Sequence, residues 1–337
     1  MTVTDSRGTF LKQAAYGLLI CLFILALSSR TYSAWRKGYD HDPVQHPWTI
    51  MAGESLAPHQ YRVLFPVMWQ GLSQVLEAGL ADKVLLFMTI VGCYTTLFFI
   101  YRSLMKNTAL VSLALLAFLG TCMHPYQFQF RDTFLEITLI SLAFYLQSRV
   151  DQRPAIWNGL ALLSFIGTLN RETWIFVLSG CMLAQCGKGW RHLWTTKEGR
   201  VALAGIVKMT LATGLAVGLT RCAFGIRPYY CRIWTWNENL YHIFFWRLPG
   251  FTFGHGIWGV GAGIFLVYLA TWANGNRHQR MFILGYVLPL LLVSFLLIAR
   301  WMESRTFFPA FAIVIGSIGM HIHAGLTARS RSRSDMN

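Results

Sequence analysis

Charge is scarce in this chain, and negative charge is scarcer. Of 337 residues only 14 are aspartate or glutamate and 29 are lysine or arginine, so 13% are charged while 55% are hydrophobic. With a mean hydropathy of +0.44, this composition excludes a soluble globule. No Walker motif, G-x-S-x-G elbow or dinucleotide fingerprint occurs, which removes the usual support for ATP-driven transport and for hydrolase chemistry. His41, His46, His59, His124, His242 and His255 show neither i, i+4 nor H-E-x-x-H spacing, so they outline no metal site. The seven cysteines form no C-x-x-C pair. Cys21, Cys93, Cys122, Cys181 and Cys186 fall in apolar runs and read as core packing residues, while Cys222 and Cys231 are left as candidates for a disulfide. There is no internal repeat.

What the chain has instead is a series of long apolar runs, at 14–33, 84–101, 107–123, 133–148, 156–169, 172–187, 201–221, 256–273, 281–299 and 306–325. They predict an all-α polytopic transmembrane bundle of about ten spans, forming a single integral membrane domain over 1–337. No small-residue cleavage site precedes Trp35, so the first run reads as a retained helix rather than a signal peptide. Residues 63–80 carry a polar stripe of Gln70, Gln74 and Glu77 beside an apolar one of Leu64, Val67, Met68, Leu72 and Val75. That pattern predicts an amphipathic surface or re-entrant helix, not a crossing. Ten crossings put both termini in the cytoplasm, with Lys12, Lys106, Lys188 and Lys197 inside and Lys37 outside, as the positive-inside rule requires. The formal charge of +15 therefore sets orientation; its basic residues lie mostly in short connectors, which argues against nucleic acid as a partner. The outer face is left with loops 34–62 and 221–255, and the basic tail 327–337 reads as disordered. Aromatic residues crowd the second loop, from Tyr229 to Trp246. They suit an interfacial belt or a platform for a sugar or an isoprenoid tail.

Four charged clusters interrupt the oily chain, each at the outer end of an apolar run: Gln60-Tyr61-Arg62, Arg131-Asp132, Asn170-Arg171-Glu172, and Arg300 with Glu303 and Arg305. Charge at membrane depth is costly, which makes all of them candidate site residues. Asp132 and Glu136 are four apart and share one helical face. Glu136, one turn into an apolar run, needs a partner such as Arg171 or Arg305, or a ligand. Arg62, between a tyrosine and a helix-starting proline, is suited to pair with the phosphate of a lipid; snorkelling to headgroups is the plainer reading. In the first outer loop, Asp40 and Asp42 are spaced to share a divalent cation, or for one to act as general base while the other orients it; an ordinary Asp-rich turn before Pro43 is the plainer reading.

Tyr61-Arg62-Val-Leu-Phe-Pro66, Asp132 at the start of a span, Asn170-Arg171-Glu172-Thr173 and Glu303-Ser-Arg305 together resemble the GT-C superfamily of polytopic glycosyltransferases. More narrowly, they resemble membrane proteins of bacterial polysaccharide gene clusters with Y-R-x-L-x-P and N-R-E-T signatures. The resemblance implies a polyprenyl-phosphate-linked sugar as donor, a glycan or lipid-linked acceptor, and an active face on the periplasmic or extracellular side of the bacterial inner membrane. It also implies an external-loop acid, matched here by Asp40 or Asp42, and a surface helix, matched by 63–80. Asp40 or Asp42 is then the expected catalytic base. Arg62, Arg131, Arg171, Arg300 and Arg305 would surround the lipid phosphate, with Asp132, Glu136, Glu172 and Glu303 orienting them or the acceptor. Any divalent cation would fall to Asp40 and Asp42. A polysaccharide polymerase or ligase using lipid pyrophosphate, and a secondary transporter, are the alternatives.

Overall fold

A computed structural model describes residues 47–55, 61–122, 132–226, 268–269, 272, 277–293 and 308–334. Every regular element among them is helical. In chain order these are α1 (Pro47–Met51), α2 (Leu64–Ser73), α3 (Ala78–Leu104), α4 (Thr108–Cys122), α5 (Asp132–Gln147), α6 (Ile156–Asn170), a 3₁₀ turn (Glu172–Trp174), α7 (Ile175–Cys186), α8 (Trp190–Thr195), α9 (Lys197–Phe224), α10 (Arg277–Val293) and α11 (Phe308–Ser334).

Among the described residues, three stretches are long and apolar enough to cross a membrane: Ala78–Leu104, Lys197–Phe224 and Pro309–Ala328. Shorter apolar helices occupy much of the space between them, including Ile156–Asn170 and Glu172–Cys186. At about 1.5 Å per residue, α5, α6 and α7 reach only about 18–24 Å, against about 30 Å for the hydrocarbon core of a bilayer. The expected runs 14–33 and 256–273 lie wholly or almost wholly outside the described residues, as does most of both outer loops.

Two expectations change. Residues 63–80 are not one helix: α2 ends at Ser73, and α3 has already begun at Ala78. The ten residues of α2 are too short to cross a bilayer, and Val67 and Met68 are exposed on it. The basic tail also differs, because α11 continues without a break to Ser334. A Ser-Arg repeat contains no glycine or proline, so nothing in it stops a helix already propagating from the apolar run before it.

The core falls into two clusters that share α5 and α11. One joins α3, α4, α5 and α11 through Tyr94, Leu97, Tyr101, Phe118, Ile137 and Ala312. The other joins α5, α6, α7, α9, α10 and α11 around Trp157, Leu160, Val177, Met209 and Phe282. Small residues permit the closest approaches: a Cβ added to Gly205 on α9 would stand 2.1 Å from the Trp157 ring on α6. Tyr101 donates to the Ala312 carbonyl at 2.6 Å, tying α3 to α11. The start of α9 is fixed by Thr196, whose hydroxyl accepts from the Gly199 N–H at 3.0 Å. Its end is fixed by Gly225, whose φ of 70° only glycine adopts freely and whose N–H returns to the Arg221 carbonyl at 2.8 Å.

Contacts along the helices give their relative directions. Trp157 meets Gly205, and Thr168 meets Thr213, so α6 and α9 run parallel. Gly187 meets Met281, and Gly285 meets Ser179 and Leu183, so α7 and α10 run antiparallel. Two sets of connectors are thereby sorted to opposite ends. At one end Gln147 hydrogen-bonds His278 at 3.2 Å, and Lys188 pairs with Asp151. At the other end Arg62, Asp132 and the corner at Asn170–Thr173 come together.

A buried cluster of arginines and carboxylates

The corner between α6 and the 3₁₀ turn is made without glycine. Asn170 closes α6, and Arg171 takes up extended backbone with φ −163° and ψ 139°. Its N–H still donates to the Gly167 carbonyl at 2.8 Å, so the chain turns back without losing that bond. Extension at this one residue turns its guanidinium to α5. There Asp132 occupies the first turn and Glu136 lies one turn further along the same face.

Arg171 reaches both acids. Its Nε lies 3.4 Å from Asp132 Oδ2, and its second contact is an ion pair with Glu136 Oε2. The pair is dry, with 3% and 2% of the two side chains exposed. Thr173, two residues on, donates to the other Glu136 oxygen, so both are engaged. Asn170 donates through Nδ2 to the Asp132 carbonyl at 3.1 Å and fastens the corner to the start of α5. Glu136 thus takes Arg171, one of the two arginines the sequence offers it. A buried pair made this way is strongly destabilising to break and adds little net stability while intact.

The fourth contributor arrives from before α2. Arg62 extends NH1 to Asp132 Oδ2 at 3.4 Å, so both arginines lean on one carboxylate oxygen. Arg62 is positioned through its neighbour. Tyr61 is buried, donates to the Gly225 carbonyl at 3.0 Å, and has the Arg221 guanidinium over its ring at 3.1 Å from the centroid. The segment before α2 is therefore pinned to the end of α9, more than 150 residues away in sequence.

Polar atoms around this cluster have capacity left over. Arg62 Nε, Asn170 Oδ1, Glu172 Oε1, Trp174 Nε1 and the Tyr286 hydroxyl are buried and have no hydrogen-bond partner among the described residues. Tyr286, on α10, lies within electrostatic reach of Glu136 and Arg171. A tyrosine hydroxyl inside an apolar run ordinarily seeks a partner, and that is the one signal in the sequence that marks Tyr286. Thr173, part of the Asn170–Thr173 motif, acts directly through its bond to Glu136.

The structure therefore brings together Arg62, Asp132, Glu136, Arg171 and Glu172. Asp40, Asp42, Arg131, Arg300, Glu303 and Arg305 lie outside the described residues, as does Cys231. Cys222 is an exposed free thiol, and its candidate disulfide partner lies outside the described residues. Among the described residues no group of three histidine, cysteine or acidic side chains is arranged to hold a metal ion. The chain matches no protein-family model, no curated protein and no solved structure.

Proposed function

We propose that this protein is a multi-pass enzyme of the bacterial inner membrane that moves a sugar from a polyprenyl-phosphate donor to a glycan or lipid-linked acceptor at the outer face. The observation that carries this reading is the convergence of Arg62 and Arg171 on Asp132 at the ends of apolar helices, with Arg62 Nε still without a partner among the described residues. A guanidinium pairs with phosphoryl oxygens through parallel N–H donors, and burial strengthens that attraction. Two arginines held in position are suited to the charge that grows on a departing phosphate. The parallel α6–α9 pair and the antiparallel α7–α10 pair support crossings that alternate in direction. The opposite end carries the connectors with Arg149, Arg153 and Lys188, and their basic residues support that end as cytoplasmic.

Asp40 and Asp42, in the position of the external-loop acid, are the base the resemblance implies. Transfer that builds a chain instead of adding one sugar would make the protein a polymerase or ligase, and product length separates the two. A secondary transporter is the non-enzyme alternative; it would set charge near mid-membrane beside broken helices, whereas these charges gather where helices begin and end, at one end of the bundle.

The test compares cell-envelope glycans of cells lacking the gene with cells carrying wild-type, Arg62→Ala or Arg171→Ala protein, each checked for membrane insertion. Loss of one sugar or branch in the deletion and in both variants is the expected result. Shortened chains would point to the polymerase, and unchanged glycan in the deletion would exclude both enzymes.

A further inference from the structure

Among the five described charges of the cluster, four are committed to each other. Glu136 has one oxygen on Arg171 and the other on Thr173, while Asp132 receives both arginines on a single oxygen. Glu172 is different. Its Oε1 is buried and has no hydrogen-bond partner among the described residues. Arg62 in turn keeps Nε unengaged. Glu172 follows Arg171, which shares Asp132 Oδ2 with Arg62, so an acceptor without a donor and a donor without an acceptor belong to the same buried corner. Buried polar atoms of this kind are rare in native proteins and are commonly completed by a ligand or water. The complement is a molecule, or a pair of molecules, presenting a hydroxyl to Glu172 and an anionic oxygen to Arg62.

We infer that Glu172 takes the proton from the acceptor hydroxyl during sugar transfer while Arg62 holds the phosphate of the donor. This rests on the transferase reading and moves the role of base from Asp40 or Asp42 to the cluster itself. In the step, the acceptor O–H bond breaks and its proton passes to Glu172 Oε1. The acceptor oxygen bonds to the anomeric carbon, and the bond from that carbon to the phosphate oxygen breaks. Its electron pair leaves with the polyprenyl phosphate, whose additional negative charge falls beside Arg62. No oxidant or further reactant is needed. Glu136 cannot take this part without giving up Arg171 or Thr173.

Two measurements on full-length protein test it. In the first, incorporation of the sugar into the glycan is followed over a short pulse in deletion cells carrying wild-type, Glu172→Gln or Glu172→Asp protein. Glu172→Gln is expected to lose about a hundredfold or more, the usual range for a general base, and Glu172→Asp to recover part of it. In the second, polyprenyl monophosphate in detergent is used as the probe, and its effect on the melting temperature is recorded. Wild type and Glu172→Gln are expected to be stabilised alike, whereas Arg62→Ala is not. Wild-type incorporation by Glu172→Gln overturns the assignment and leaves the transferase intact. A Glu172→Gln protein that no longer responds to the lipid phosphate also overturns it, since Glu172 would then be a binding residue. If the deletion itself leaves the glycan unchanged, the transferase reading falls, and the assignment with it.

Discussion

Trp174 occupies the space that a side chain on Gly167 would need: a Cβ built there would stand 2.1 Å from the indole Cε3. The two residues face each other across the corner that carries Asn170, Arg171 and Glu172, so their contact sets how tightly that corner closes. Gly167→Ala is expected to destabilise the protein by about 1–3 kcal/mol through overpacking, read as a lower melting temperature in detergent. Gly214→Ala, on α9 with nothing within 4 Å of the added carbon, is the control and should be neutral or slightly stabilising.

Unequal losses are expected from the two sides of the buried pair. Arg171→Met leaves Asp132 and Glu136 without their shared cation and should cost about 3–5 kcal/mol. Glu136→Gln leaves Arg171 its contact with Asp132 and should cost less. Adding Glu136→Gln to Arg171→Met should restore part of the lost stability. A double mutant less stable than Arg171→Met alone would contradict the pairing.

These partnerships mark how far the sequence could be read. That the regular structure is helical followed from the apolar runs, and the grouping of Arg62, Asp132 and Asn170–Glu172 at one end followed from alternation. The partner of Glu136 did not follow: Arg171 and Arg305 were equally available, and only the extended backbone at Arg171 decides between them. Tyr61 gave no sign of its tie to Gly225, because a tyrosine at the edge of a helix reads as an interfacial anchor whatever it touches. Helix lengths were legible only in part. The polar stripe of 63–80 hid a break at residues 74–77, since a break there needs no proline or glycine when the next helix can begin within a few residues.

Orientation can be checked with a natural probe. Cys222 is exposed in the last turn of α9, whereas Cys93 and Cys181 are buried. A membrane-impermeant maleimide applied to the outer face of intact spheroplasts should label the protein. In a Cys231→Ser background, which removes the other thiol of the same outer loop, Cys222→Ser should remove or strongly reduce that signal. Labelling of Cys222 only after the membrane is broken would invert the topology.

At the opposite end, beyond the run expected to cross at 281–299, burial pushes the His278 imidazole below its ordinary pKa, with Asp151 acting the other way and Lys188 with it. The folded protein therefore holds this ring neutral, while the unfolded chain takes up a proton near pH 6.5. Stability from this group is fully present above that pH and falls as pH drops through 6.5 toward the folded value. The melting temperature should decline more between pH 7.5 and 5.5 in wild type than in His278→Gln. Equal slopes would contradict the depressed value.

The mismatch between α5–α7 and the longer α3 and α9 bears on how the lipids lie. Rods of about 18–24 Å standing beside apolar stretches of about 27–32 Å in α3 and α9 leave no single level at which a flat bilayer suits both, and lipid adjusts to such steps by thinning or tilting at modest cost. Headgroups drawn down over the shorter helices would bring a lipid-borne phosphate to the depth of Arg62 without that arginine having to rise. A thicker host membrane would oppose this sag, so acyl-chain length becomes a variable that acts on access to the cluster while leaving every side chain in it unchanged.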